Sequence, residues 1–388
     1  MSLRHLIILL AFFTPFVCIG QDVDSLERVR QDSLAITEAD DFVTVSVCVA
    51  SSGEAIYSAL GHAFLRLQCP TYDLDYVYSY EAEDVTEDIL RFFAGKLKMF
   101  VLAAPTKMYV EHYALEGRGV KEYTFNLPVR VKKRLWQQMD KRLAQSPVPY
   151  DYMNRGCAVS VLHWIEEAVV KDSLQYAPWP EKYNRSRKEM AWDGVSNEWV
   201  QAFASTFIAG EGDNLDVENT SKVMTPSELI EVLRGARAFG EPLLTDECNV
   251  LQQSENSIEP AKITPFMVSL VVLILSLINL RLHSVWLRCI VLVPCLLIGA
   301  FVFYLVVFSA LPCTEWNWLI IPFSPLPFLF WRWRRWWTLP FATVCMVWIV
   351  GILIYPHQVV ESSHLVLAGV MALCNIEIFM SIYKRKQI

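Results

Sequence analysis

Alternating and helical patterns of apolar positions divide this chain into a mixed first part and an apolar last third. Phe42–Val49 (FVTVSVCV) alternates β-branched and polar residues and reads as a strand. A turn-rich piece, Ala50–Tyr57, separates it from a second strand at His62–Gln68, and Tyr76–Tyr80 (YVYSY) supplies a third. Thr86–Phe93 reads as a short helix ended by Gly95, followed by extended runs at Lys98–Leu102 and Lys121–Leu127. From Pro128 or Val129 to Gln145 the spacing is helical, with Val131, Leu135, Met139 and Leu143 turned inward. Its basic face (Lys132, Lys133, Arg134, Lys141, Arg142) reads as solvated surface. Next, an irregular polar run, Asp151–Gly156, delivers Cys157 to the first turn of a helix whose Val161, Leu162, Ile165 and Ala168 face a core. Beyond Lys171 the signal thins to a Trp- and Pro-punctuated charged loop (PWPEKYNRSRKEMAW) and an acidic turn, Glu211–Ser221. Thr225 then opens a helix that ends near Gly240. Leu251–Glu259 reads as a polar linker. Strands first, then the Cys157 helix, make an α+β domain.

The last third holds five apolar stretches, roughly 264–280, 289–311, 316–330, 337–355 and 359–383. Most approach the ~20 residues needed to cross a bilayer. The third is short and broken by Pro322, Pro325 and Pro327, the pattern of a kinked or re-entrant segment. Composition sharpens the division. Gln21–Pro260 carries 24 Lys and Arg against 38 Asp and Glu, whereas Lys262 onward carries 9 against 3. An acidic, water-facing domain is therefore expected at residues 21–260 and a basic membrane bundle at 261–388. No basic patch with interleaved aromatics points to nucleic acid.

At the front, Arg4 and His5 precede an apolar run, Leu6–Phe13, and small residues at Cys18 and Gly20 suit a signal-peptide cut after Gly20. Val23–Asp40 is charged and reads as helical or loose. Basic residues gather at Arg281/Arg288, Arg332/Arg334/Arg335 and Lys384/Arg385/Lys386, and none lies in Pro312–Asn317 or Pro356–His364. The positive-inside rule then expects the acidic domain outside and the C-terminus in the cytoplasm. Glu315, His357, Glu361 and His364 are expected to collect at the outer face.

The chemistry centres on Cys157. A thiol at a helix N-terminus meets unpaired N–H groups and the positive end of the macrodipole, which favours the thiolate. The same placement also suits a small buried hydrophobe. As base the best partner is His62, at the start of the second strand, whose bland alternative is a half-buried histidine bonded to backbone. A third, imidazole-orienting or oxyanion group is sought among Ser58, Tyr78 and Tyr80; His163 lies too far along the helix. No metal-ligand spacing, P-loop or dinucleotide fingerprint is present, so neither metal nor cofactor is expected. Cys48 and Cys69 are either a disulfide, which an exported domain allows, or two buried thiols.

Three segments in order, GEAIYSALGHAFLRL, VYSYEAEDVTEDILRFFAGKL and YDYMNRGCAVSVLHWI, resemble the periplasmic domain of the Lnb family, named for lipoprotein N-acylation in Bacteroides-type bacteria. The resemblance covers roughly 42–170 and, more weakly, 224–244. It implies a circularly permuted papain-like (NlpC-type) extracytoplasmic fold, with the His strand before the Cys helix, followed by an α-helical bundle of about five spans. The family's Gly-His falls on Gly61-His62, its strand Arg on Arg66 and its Cys on Cys157; Asn154 is a further supporting residue. The chain differs at two places: Arg155-Gly156 stand where Asn commonly precedes the Cys, and Glu81-Ala82-Glu83 follow Tyr80 where the family has Gly-Thr-Phe.

What the resemblance implies is an inner-membrane lipoprotein N-acyltransferase. Phospholipid is the acyl donor, Cys157 carries the chain as a thioester, and the α-amino group of a diacylated lipoprotein's N-terminal cysteine accepts it. A membrane-tethered NlpC-type amidase of cell-wall peptides and a non-enzymatic chaperone or scaffold are the competing expectations. Five spans exceed what a tether needs, which favours a lipid substrate.

Overall fold

The computed structural model describes residues 43–83, 88–149, 151, 154–169, 173–178, 186–195, 197–209, 223–254, 260–354 and 360–384. The expected signal peptide, Val23–Asp40, the acidic turn 211–221, His357 and Arg385/Lys386 lie outside them.

The alternating segments become strands β1 (Thr44–Ala50), β2 (His62–Cys69) and β3 (Leu74–Ala82), and Asp88 caps a one-turn helix, α1 (Ile89–Phe93). Next come β4 (Lys98–Pro105), α2 (Thr106–Leu115), β5 (Val120–Phe125), α3 (Val129–Gln145), β6 (Val148–Pro149) and α4 (Cys157–Val169). A smaller region holds β7 (Leu174–Gln175), α5 (Arg187–Asp193), α6 (Glu198–Phe207), α7 (Pro226–Gly235), β8 (Arg237–Ala238) and β9 (Glu241–Pro242). The chain then returns through β10 (Leu244–Gln252).

The main sheet has seven strands in the order β10-β5-β1-β2-β3-β4-β6, and every pair in it is antiparallel. Because β1 and β2 are central, their residues are buried on both faces, including Val45, Val47, Leu65 and Leu67 on one and Cys48 and Phe64 on the other. One face carries α3 and α4: the Tyr78 hydroxyl donates to Asp140 on α3, and Tyr80 meets Trp164 on α4 edge-on. The other face carries α2, whose Tyr109 and Tyr113 pack on Phe64. On that face the Arg66 guanidinium donates twice to Asp75, at 2.8 and 2.7 Å, and once to Glu122 at 3.0 Å, tying three strands together.

Several expectations need correction. Leu143, expected inward, is exposed near the end of α3. α7 ends at Gly235, because Arg237–Ala238 and Glu241–Pro242 form a hairpin around Gly240. The expected linker from Leu251 begins as the end of β10, an edge strand hidden from pattern by its exposed polar residues. The charged loop contains α5, opened by a capping box between Ser186 and Glu189. Cys48 and Cys69 are both free and buried. Cys48 stands opposite Phe64 and Cys69 opposite Leu74, five positions farther along β2, so a bond cannot reach.

The last third forms α8 (Pro265–Leu282), α9 (Val285–Phe308), α10 (Ile320–Phe323), α11 (Leu326–Leu329), α12 (Arg334–Ile354) and α13 (Ser362–Lys384). Among the described residues four helices are long and apolar enough to cross a membrane, where five were expected. The third expected stretch is the exception, since its prolines split it into α10 and α11. Asn317 donates to the Thr206 carbonyl and the Glu361 N–H donates to Ser205, so both positions lie against α6. The chain from Asn317 to Arg334 therefore descends the bundle through the two short helices, and α12 returns. At the far end Glu377 of α13 accepts from Arg288 at 2.5 and 2.8 Å and lies 3.1 Å from His283.

α6 is the plate on which the two parts meet. Thr206 is 2.8 Å from buried His364, and the Trp199 indole donates to the Ile263 carbonyl. Just beyond α6, the Ala209 N–H donates to the Cys313 carbonyl. Beside it an apolar cluster joins Phe92, Leu97, Met190 and Phe207 to Leu305 and Leu311, with Leu60 packed against it. Of the four ionisable residues expected at this face, Glu361 and His364 are buried in the junction, and Glu315 is exposed.

Candidate active site

Cys157 is the first residue of α4, and the irregular run before it is held by Asp151, whose carboxylate accepts from the Asn154 backbone and side chain at 3.1 and 3.0 Å. Asn154 in turn accepts from Arg187 on α5 at 2.9 Å, which fixes the loop that presents the thiol. His62 opens β2. Gly61 before it has φ +81°, and a Cβ there would lie 2.7 Å from the Ala50 carbonyl, so only glycine turns the chain into β2 at this point. Ser58 completes that turn, its carbonyl accepting from the Gly61 N–H at 2.9 Å and its hydroxyl donating to the Ala55 carbonyl.

The strand and the helix end bring His62 and Cys157 into hydrogen-bond contact, and the Ala63 N–H also points at the thiol. His62 Nε2 lies 2.7 Å from Ser79 Oγ and 3.4 Å from Glu81 Oε1. That leaves Nδ1 as the nitrogen for the thiol. Ser79 Oγ donates to Glu81 Oε1 at 2.7 Å, so its single proton is committed and it accepts from His62 Nε2–H. The Tyr109 hydroxyl reaches both Ser79, at 2.8 Å, and Glu81. The network therefore selects, for the neutral ring, the tautomer with the Nε2 proton, which leaves the lone pair on Nδ1.

The groups that reach the imidazole are thus Ser79 and Glu81, whereas Ser58, Tyr78 and Tyr80 do not contact it. The reason is strand alternation. On β3, Ser79 and Glu81 share the α2 face with His62 of β2, while Tyr78 and Tyr80 point to the α3–α4 face. Ser58 is buried in the turn, bonded locally. Glu81 is one of the residues that differ from the usual family pattern. Register decides it: Leu65 pairs with Tyr78, and continuing that antiparallel ladder sets His62 opposite Glu81. Arg66 lies on the same face as His62 but is engaged by Asp75 and Glu122. Asn154 braces the loop before Cys157.

The electrostatics of the site favour the thiolate and the imidazolium over the neutral pair. Burial opposes charge on His62, but Tyr113, Cys157 and Glu81 outweigh it and raise the imidazolium pKa well above the ordinary value. Burial opposes the Cys157 thiolate as well, yet the positive His62, its hydrogen bond and the Ala63 N–H bring the thiol below its usual pKa. Burial is likewise overcome at Glu81, where His62, Tyr109 and Ser79 bring the carboxyl from 4.5 to about 2. A thiolate, an imidazolium and a carboxylate in sequence can attack a carbonyl carbon, protonate a leaving group and hold the base in one orientation.

Comparison with known proteins agrees on the domain. Residues 33–185 match the family model described as the Lnb N-terminal periplasmic domain. Neither the curated proteins nor the solved structures returned a match. Residues 33–185, which hold His62, Glu81 and Cys157, are thus similar to the Lnb N-terminal periplasmic domain, and membrane-length helices follow them in the chain.

Proposed function

We propose that this protein is a membrane-bound cysteine acyltransferase that N-acylates lipoproteins. The Cys157 thiolate attacks an ester carbonyl of a membrane phospholipid, and the tetrahedral intermediate collapses to a Cys157 thioester. The leaving lysophospholipid oxygen takes the proton from His62 Nδ1. The α-amino group of a diacylated lipoprotein's N-terminal cysteine then attacks the thioester, neutral His62 accepts the amine proton, and an amide and the thiolate result. Both half-reactions need Nδ1 to face sulfur, which the Ser79–Glu81 pair supports.

The observation that carries this reading is where the ion pair lies. His62 begins β2 two residues after Leu60, and Leu60 packs on the apolar cluster shared with α9. A nucleophile at the membrane-facing end of its sheet suits a lipid ester better than a soluble cell-wall peptide. The order of His strand before Cys helix supports the permuted papain-like fold. The basic ends of the bundle support a cytoplasmic C-terminus in an inner membrane.

The test is incubation of membranes with a phospholipid labelled in its acyl chain, following label first onto the enzyme and then onto a diacyl lipoprotein. Cys157→Ser should abolish both steps while the protein remains folded and inserted, because a hydroxyl nearly matches the thiol in shape but not in acidity. Transfer by Cys157→Ser at a near wild-type rate would overturn the thioester mechanism. Release of cell-wall peptides, with no lipoprotein labelled, would favour the amidase.

A further inference from the structure

α1 is a single turn, and four of its five residues are apolar. Phe92 and Phe93 are accounted for: Phe92 stacks on Phe207, and Phe93 meets Phe301 of α9 edge-on with centroids 4.8 Å apart. Ile89 and Leu90 are not, being 47% and 61% exposed. Arg91, the only charge in the turn, donates to Glu83 and to the Lys96 carbonyl.

The neighbours of α1 set its depth. The Tyr304 hydroxyl of α9 donates to the Leu90 carbonyl at 3.1 Å, and the Ala310 N–H donates to the Ala94 carbonyl. At Gly95 a Cβ would meet Leu311 at 2.8 Å, so the turn after α1 presses directly on the chain leaving α9. α9 has 24 residues and is about 36 Å long, against a hydrocarbon core of about 30 Å. An upright, centred α9 therefore extends about 3 Å beyond the core at each end. Tyr304 is four residues, about 6 Å, before the last residue, Phe308, and so lies about 3 Å inside the hydrocarbon boundary. Phe301, seven residues in, lies about 7 Å inside, and tilting α9 lowers both. On the last turn of α9, Val307 is 53% exposed, as a lipid-facing side chain would be.

We propose that α1 is an interfacial element seated in the domain-side leaflet, with Ile89 and Leu90 in contact with phospholipid acyl chains just below the headgroups. Its location brings lipid to the site: α1 hangs from the end of β3 that carries Glu81, where Ala82 pairs with Met99 and the Glu83 N–H donates to the Lys98 carbonyl. The lipid contact does not depend on whether Cys157 transfers acyl groups.

The test uses full-length protein with Cys157, Cys248 and Cys289, the thiols that are not buried among the described residues, replaced by serine. A single cysteine is introduced as Leu90→Cys or Ile89→Cys and labelled with a small fluorophore. Val307→Cys is the lipid-facing reference, and Thr71→Cys, at the opposite end of the sheet, is the water-facing one. The proteins are reconstituted in phosphatidylcholine vesicles brominated either near the top of the acyl chain or near its terminal methyl. Labels at 89 and 90 should be quenched about as strongly as the label at 307 and several-fold more than the label at 71, and most by bromine near the top of the chain. Labels at 89 and 90 quenched no more than the label at 71 would overturn the proposal. Because the thiol is absent throughout, the outcome is separate from that of the transferase assay.

Discussion

Glu81→Gln isolates the carboxylate's contribution to the ion pair. The amide keeps an oxygen for Ser79 and Tyr109 to donate to and removes only the charge. In the wild type that charge lies 3.4 Å from His62 Nε2, with side chains 30% and 17% exposed. Two unit charges at this distance attract by roughly 5 kcal/mol at an effective dielectric of about 20. Water at a partly exposed pair removes part of that, and opposite charges at such range typically move a pKa by about 1–3 units.

The sign follows from the raised pKa of His62. Losing a negative neighbour favours the neutral imidazole, so its proton leaves at lower pH. The assay is the rate of Cys157 alkylation by iodoacetamide against pH, with Cys248 and Cys289 replaced by serine. The rate rises first as the thiolate–imidazolium pair forms and again as the imidazolium loses its proton; both apparent values belong to the pair. In Glu81→Gln the second rise should move down by about 1–3 pH units, narrowing the plateau from its alkaline side. A second rise that stays where the wild type has it would refute the assignment of Glu81 as the group that holds the imidazolium.

Ser79→Ala should slow acyl transfer roughly ten- to hundredfold, the worth of a hydrogen bond to a charged group, with most of the loss in kcat because the imidazole loses its fixed tautomer; an unchanged kcat would argue against the relay. The Glu81 carboxyl, at about 2 instead of 4.5, contributes stability that is fully present above pH 4.5 and lost as pH falls towards 2. Wild type should therefore lose up to about 3 kcal/mol relative to Glu81→Gln across that interval, as chemical denaturation at stepped pH would report. Gly61→Ala should lower Tm by an amount equivalent to at least about 1–2 kcal/mol, from the left-handed backbone alone, with the contact at the Ala50 carbonyl adding to it; an unchanged Tm would contradict the turn geometry. Glu377→Gln should destabilise the membrane bundle by about 3–5 kcal/mol because it leaves Arg288 without its charge partner, and thermal unfolding in detergent checks it.

Local pattern alone located the central strands, α3, α4 and the apolar last third of the chain, because burial imposes a period of two on a half-covered strand and of 3.6 on a helix. It also singled out Cys157 and His62, since a helix-opening thiol after a polar loop and a strand-opening His after glycine are properties of neighbours in the chain. What it missed was non-local or unpatterned. β10 is an edge strand with exposed polar residues, and α5 and α6 are short helices placed by what they pack against. The prolines in the third apolar stretch signalled a break, but only the contacts of Asn317 and Glu361 with α6 decided how the chain descends through it.

The third member of the site shows the division most clearly. Tyr78, Ser79, Tyr80 and Glu81 are adjacent in sequence, and nothing local says which pair faces His62. The register of β3 on β2 decides it, because moving a strand by one residue exchanges its faces. That register is set by tertiary packing: Tyr78 on Asp140 and Tyr80 on Trp164 hold one face against α3 and α4, and Ser79 and Glu81 are thereby turned to Tyr109 and the imidazole.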